Sequence, residues 1–209
     1  GVVIDLEKNI PVKAGLGGAS GNAAGVLVAL NRLYNLGLSN HDLADIGAQI
    51  GADVPFFIYD DCVSLGIERG DRIVSLVKQM KKLYFVLFVF DHGLATIDVY
   101  NTYSYNTKRR ISLTKIIRDV TMIPFFLLRK DVSAISRISY NDLLKPANTL
   151  KPQIKCLLKY LKGIGAEAVH MTGSGPTVYA IARNRKEAKR IAGAVSTLPA
   201  ISTIITTSY

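Results

Sequence analysis

Cysteine, histidine and long apolar runs are all scarce in this chain, and each scarcity closes off a class of protein. The two cysteines, Cys62 and Cys156, stand far apart with no Cys-x-x-Cys pair. No disulfide framework is expected, and both are read as small core residues of a protein from a reducing compartment, the cytoplasm. The three histidines, His41, His92 and His170, show no metal-ligand spacing, so no protein-held metal site is expected; His41 falls in an exposed first helical turn. No apolar run approaches the roughly 20 residues of a bilayer-spanning helix. A basic n-region followed by an apolar h-region is missing too, which argues against a signal peptide. Residue 1 is Gly rather than Met and leads at once into a strand-like pattern, as if the chain began inside a domain. There is no internal repeat and no low-complexity tract.

What is present fits a folded domain or two small ones. Of 209 residues, 49% are hydrophobic and 20% charged, enough for a real core. The net charge of +10 favours anionic partners: nucleotides, nucleic acid or acidic membrane surfaces. Lys108-Arg109-Arg110 is the only tight basic triplet. It lacks interleaved aromatics, so it reads as a solvated loop and not as a nucleic-acid site. A basic α/β RNA-binding module would require such aromatics on an exposed sheet.

The most informative stretch follows an apolar-alternating segment, Val2 to Ile10, and runs into a helical pattern of Val26, Leu27, Leu30, Leu33 and Tyr34. Between them lies Pro11-Val12-Lys13-Ala14-Gly15-Leu16-Gly17-Gly18-Ala19-Ser20-Gly21-Asn22. Strand, glycine-rich loop and helix N-terminus together make an anion site, because the first helical N–H groups lack partners and the helix dipole adds positive charge. A Walker A loop is excluded, since no Gly-Lys-[Ser/Thr] triplet follows the glycines. A dinucleotide fingerprint starting at Gly15 fails at Ser20, where its third glycine belongs. A flexible turn is the other reading of this pattern.

Further along, the first helix stops near Gly37. Ser39-Asn40-His41-Asp42 predicts a capping box for a second helix with Leu43, Ile46 and Ile50 inward, ended by Gly51. Asp53 follows, just before Pro55, which favours an extended Val54; from local pattern alone Asp53 is a cap or turn carboxylate. Phe56 to Tyr59, Cys62 to Leu65 and Ile73 to Val77 read as strands, with Asp60-Asp61 a solvated turn and residues 66–71 a tight loop. Lys78, Lys81 and Lys82 mark a polar junction that divides the chain into residues 1–80 and 81–209.

After a buried strand, Leu83 to Phe90, residues 113–162 read mainly as helices broken at Pro124, Pro146 and Pro152. The last helix has Ile154, Leu157, Leu158 and Leu161 on one face, Lys155, Lys159 and Lys162 outward, and stops at Gly163 and Gly165. Then come a strand at Val169 to Met171, a glycine turn, a strand at Thr177 to Ala182, a helix at Arg185 to Val195 and a strand at Ile201 to Thr207. From residue 83 onward this is a ferredoxin-like order.

Pro11-x-x-Ala-Gly-Leu-Gly-Gly-Ala-Ser-x-Asn-Ala-Ala resembles the phosphate loop of the GHMP kinases, the family of galactokinase, homoserine kinase and mevalonate kinase. Gly51 to Phe57, Thr96-x-x-x-Tyr100 and Met171 to Tyr179, in that order, are similar to the branch that phosphorylates a cytidylyl-linked methylerythritol for isoprenoid precursors. The resemblance runs from Gly1 to about Ala182. It implies an α+β, two-domain GHMP kinase fold, with an N-terminal part like domain 2 of ribosomal protein S5, here truncated, and a ferredoxin-like C-terminal domain. It implies ATP and Mg²⁺ as cofactors, with nucleotide held by Pro11, Val12, Lys13, Ala14, Gly15, Leu16, Gly17, Gly18, Ala19, Ser20, Gly21 and Asn22. Asp53 becomes the catalytic base, and Thr96 and Tyr100 contact the cytidine, the ring stacking on the base. Gly173, Ser174 and Gly175 close the phosphate site, for which a plain hairpin turn is the other reading.

The expected partners are ATP and a small alcohol, with neither nucleic acid nor membrane, in a monomer or weak homodimer. The sequence departs from the family pattern at Lys13, where Gly is usual, at Gly21, where a second Ser is usual, and in lacking the N-terminal portion. The lysine that partners the aspartate would lie there, so the stretch alone is expected to be inactive.

Overall fold

The computed structural model describes residues 1–103, 112–196 and 198–208. The basic triplet at Lys108 to Arg110 lies outside the described residues. The chain begins with a segment that alternates like a strand yet forms none: residues 1–9 have no described strand beside them to take their N–H and C=O groups. Val3 is 91% exposed, and Val2, Ile4, Leu6 and Ile10 are exposed with it.

Helix α1 spans Gly18–Leu33 and α2 spans Asn40–Ile50. The start of α2 is the capping box expected from its sequence: the Ser39 hydroxyl accepts from the Asp42 N–H while the Asp42 carboxylate accepts from the Ser39 N–H. The Ser39 hydroxyl and the Ser39 N–H both donate to the Asp42 carboxylate, and those two bonds hold it below the usual carboxylate range. The inward face of α2 differs from expectation. Leu43, Ala44 and Gly47 are buried, whereas Ile46 and Ile50 are exposed. Small residues win the inner face because the next segment presses close: a Cβ on Gly47 would lie 2.9 Å from Val54 Cγ1. With Ala24, Val54 and Ile58 these residues make a small core.

Pro55–Phe57 is a 3₁₀ turn and not a strand, and Val54 is helical (φ −64°, ψ −43°). Phe57 N–H donates to the Val54 carbonyl at 3.1 Å, and closing that turn overrides the extended bias of a residue before proline. Strands β1 (Val63–Ile67) and β2 (Arg72–Val77) form an antiparallel hairpin.

The larger unit is a four-stranded antiparallel sheet built from β3 (Tyr84–Phe90), β4 (Ala168–Met171), β5 (Val178–Ala182) and β6 (Ile201–Thr207) in the order β4-β5-β3-β6. Helices α3 (Thr96–Thr102), α4 (Leu113–Arg129), α5 (Val132–Ile138), α6 (Leu144–Leu150) and α7 (Gln153–Gly163) follow β3, and α8 (Arg185–Val195) links β5 to β6. This is the ferredoxin-like plan read from the sequence.

Alternation sorts the sheet's side chains to two covered faces. Val86, Phe88, Val178 and Ala180 meet Ile154, Leu161 and Ile191 of α7 and α8. Phe85, Ala168 and Ile181 meet Val132 and Ile135 of α5 and Phe126 and Leu127 of α4.

Helix α7 carries its expected stripe, all of it buried, and ends in a Schellman motif at Gly165 (φ +80°), with Ala166 N–H bonded to Leu161 O and Gly165 N–H to Lys162 O. Two readings are corrected here. Helix α4 continues unbroken past Pro124; the ring's fixed φ suits a helix, and packing of Phe126 and Leu127 on the sheet offsets the missing N–H. Pro146 likewise sits inside α6, in its first turn, where its missing N–H is no loss. Cys156 is exposed and Cys62 half-buried, so neither is a core residue.

Leu161 is fully buried between α7 and the sheet. Leu161→Ala should therefore destabilise the fold by about 2–5 kcal/mol, and Cys156→Ala by less than about 0.5 kcal/mol; urea unfolding midpoints of the two variants check this.

Candidate active site

The glycine loop is pinned from one side. Lys13 O accepts from Leu94 N–H at 3.0 Å, Ala14 O from Thr177 N–H at 3.3 Å, and Gly15 O from the Thr172 hydroxyl at 3.0 Å. Three successive carbonyls are thus committed to the region around β3 and the β4–β5 turn. The loop's N–H groups are not. Among the described residues, those of 15–20 donate to no acceptor, and Gly21 is the first to pair, with Gly17 O at 2.9 Å. A row of free donors opening a helix, with no acidic residue in its first turn, is the physical basis of an anion site.

Glycine is required at two places in this loop. Gly15 has φ +72°, and a Cβ there would lie 2.7 Å from the carbonyl oxygens of both Gly175 and Thr172. Gly17, at φ +68°, is the left-handed N-cap of α1, and a Cβ there would strike the Phe57 ring at 2.6 Å. The stretch Gly51 to Phe57 therefore supports the loop through an aromatic ring.

The β4–β5 turn is the second wall. Thr172 and Thr177 close it, with Thr172 N–H on Thr177 O at 3.0 Å and Gly175 N–H on Thr172 O at 2.8 Å. Asn141, which sequence reasoning missed, braces it by donating to Met171 O at 3.0 Å and Gly173 O at 2.8 Å. Only a lone amide between two helical stretches could have signalled it. Ser174 is buried, and its hydroxyl lies 3.1 Å from that of Thr96 at the start of α3.

A cleft of about 530 Å³ lies between these walls. It is lined by residues 11–20, Asn22, Asp53, Thr96, Tyr100, Gly173 and Ser174, with Glu7 to Ile10 and Leu143 completing the wall. Of the residues singled out in the sequence, Gly21 and Gly175 are not on the wall. Gly21 packs against Phe57, and Gly175 backs Gly15.

Asp53 is exposed and makes no hydrogen bond or ion pair with any described residue, so it does not cap the 3₁₀ turn. Tyr100 is 56% exposed, which removes it from the core. Among the described residues no group of three or more His, Cys, Asp or Glu could hold a metal. A second hollow of about 480 Å³ borders the β4–β5 turn and includes His170 and Tyr179. Burial, with Lys162 adding to it, pushes the imidazole of His170 down, and burial pushes the Tyr179 phenol up.

Fold and cleft together define an α+β protein built on a glycine loop and a ferredoxin-like sheet. The model of the GHMP kinases N terminal domain matches residues 1–61, and that of the GHMP kinases C terminal matches residues 125–200. A 4-diphosphocytidyl-2-C-methyl-D-erythritol kinase of Gloeobacter violaceus is 34% identical over 208 residues, which are 98% of this chain and 67% of that protein. The protein of that name from Syntrophus aciditrophicus is 40% identical over 190 residues, covering 90% and 63%. A crystal structure of 4-(cytidine 5'-diphospho)-2C-methyl-D-erythritol kinase superposes with a TM-score of 0.75 at 28% identity, over 97% of this chain and 69% of that one. The chain belongs to the GHMP kinase family. It spans about two thirds of the length of the relatives it matches.

The fit of the two loops sets an expectation for glycine substitutions. Gly15→Ala should lower the melting temperature by about 2–8 °C, from a left-handed residue and a backbone collision that together cost about 1–2 kcal/mol or more. Gly25, inside α1 with open space around it, should do the reverse: Gly25→Ala gains about 0.5–1 kcal/mol. Thermal melts of both variants read the difference.

Proposed function

We propose that the protein carrying this chain is an ATP-dependent kinase that phosphorylates the 2-hydroxyl of 4-diphosphocytidyl-2-C-methyl-D-erythritol in non-mevalonate isoprenoid precursor synthesis, in the cytoplasm. One observation carries the reading: four separate stretches (residues 11–20 with Asn22, Asp53, the Thr96/Tyr100 pair and residues 173–174) meet on one cleft. The names of the relatives support the substrate assignment, and the exposed ring of Tyr100 on the cleft wall supports a base-stacking site. In this reading the division near residue 80 places the glycine loop in one domain and the β4–β5 turn in the other.

The loop's N–H groups support a triphosphate as the anion bound in the cleft. Those of 15–20 have no competing acceptor among the described residues. Those N–H groups would hold phosphate oxygens, and the Ser20 hydroxyl would reach a phosphate or the magnesium ion that accompanies it. No cage of protein ligands is needed, since Mg²⁺ in such sites is bound largely by phosphates and water. When bound, MgATP supplies the phosphoryl group and neutralises part of its charge. The chain's own part is positioning and proton transfer. Asp53, exposed and unpartnered, takes the proton from the acceptor hydroxyl. Thr96 and Tyr100 orient the cytidine, with Thr96 held by Ser174.

Two experiments test this in the full-length protein. Asp53→Asn should lower turnover by about 10²-fold or more, leaving ATP affinity and melting temperature nearly unchanged; near-normal turnover removes Asp53 as the base. Tyr100→Ala should raise KM for the cytidylyl alcohol about 10-fold while Tyr100→Phe leaves it near the original value, because stacking contributes about 1–3 kcal/mol per base. Phosphate transfer to homoserine or mevalonate, with none to the cytidylyl alcohol, would overturn the substrate assignment.

A further inference from the structure

Lys13 is the only charged residue among residues 11–20 of the loop, and its backbone is in an unusual place. It has φ +57°, the left-handed region that residues with a Cβ avoid and glycine enters freely. The conformation is not an accident of a loose loop. The Lys13 carbonyl accepts from Leu94 N–H at 3.0 Å, and the next residue, Ala14, is buried. Gly93 packs directly against it: a Cβ on Gly93 would lie 2.4 Å from the Lys13 carbonyl oxygen and 2.6 Å from its Cβ, which fixes the position of residue 13. The ammonium makes no hydrogen bond, ion pair or ring contact with any described residue, yet Lys13 lines the cleft beside the free N–H groups of the loop.

A strained backbone with a side chain that supports nothing in the fold is the pattern expected where conformation serves a ligand. We infer that Lys13 is a phosphate-binding residue of the cleft: its left-handed backbone carries an ammonium to the rim of the loop, where it contacts the polyphosphate of the bound nucleotide. This rests on the nucleotide reading of the cleft given above. It adds a cation whose affinity comes at the expense of loop strain, so affinity and stability should respond to substitution in opposite directions. Structural lysines do not behave this way.

The test uses the full-length protein and isothermal titration with MgATP and with adenosine at two salt concentrations, beside thermal melts. Lys13→Gly and Lys13→Asn both suit a left-handed backbone and remove the charge. Each should weaken MgATP binding about 10-fold, leave adenosine binding unchanged and flatten the salt dependence of the MgATP affinity. Lys13→Arg should stay within about 2-fold of the original, since the charge is kept. The melting temperature of Lys13→Gly should hold or rise by about 2 °C as the strain is relieved.

Unchanged MgATP affinity and salt slope in Lys13→Gly, with binding by the unsubstituted protein intact, would overturn this inference alone. Equal losses for ATP and adenosine, or a lowered melting temperature, would mark a structural lysine and also overturn it. Failure of the unsubstituted full-length protein to bind MgATP would overturn the nucleotide reading, and this inference with it.

Discussion

The seating of one glycine loop against another is the contact on which the rest of the cleft depends. Gly15 sits so close to Thr172 and Gly175 that no side chain fits between them, and the Thr172 hydroxyl closes the contact on the Gly15 carbonyl. Because Lys13, Ala14 and Gly15 spend their carbonyls on this docking, the N–H groups of the following residues, up to Ser20, have no partner among the described residues. A buried backbone donor without a partner is costly, so free donors of this kind persist only where water or a ligand can reach them. The cleft is that place, and the stiffness of the seating keeps the donors fixed before anything binds.

The sheet supplies the stiffness. Both of its faces are covered, by α7 and α8 on one side and α4 and α5 on the other, so the β4–β5 turn projects from a strand pair that cannot tilt toward either face without opening a core. Asn141 adds a brace from the helical side through two carbonyls of the turn. The bond between Thr96 and Ser174 ties α3 to the same turn. In this way the start of α3, which bears Tyr100 one turn further on, is set by the element that sets the glycine loop.

Much of this was legible where a pattern repeats. The capping box at Ser39, the stripe of Ile154, Leu157, Leu158 and Leu161, and the bounds of α8 and β6 were all readable, because period and caps are local physics. The residues that came together on the cleft were legible only through motifs; nothing in periodicity would have put Asp53 on the same cleft as Thr96. Failures fall where a distant partner decides. Val2 to Ile10 alternates as a strand should, but pairing requires a neighbour and none is described. Phe56 to Tyr59 is apolar without a period, and a local 3₁₀ turn took it. Ile46 and Ile50 lost the inner face of α2 to Ala44 and Gly47 because Val54 comes too close for larger residues, a fact of tertiary spacing. Lys13 is the most instructive case. Its identity looked like a departure from the family pattern, and its φ of +57° shows that the backbone kept a glycine's conformation under a lysine's side chain.

The interlock of Gly15 with the β4–β5 turn joins residues 157 positions apart in sequence at van der Waals range. No side chain fits at Gly15 unless the other loop retreats, and one at Gly173 would press on Gly15 at 3.2 Å. For protein engineering and for evolution alike, the two glycine loops are one inherited part. A chimera that took its N-terminal half from one kinase of this family and its C-terminal half from another would have to match at this joint first, whatever its substrate pocket was meant to hold.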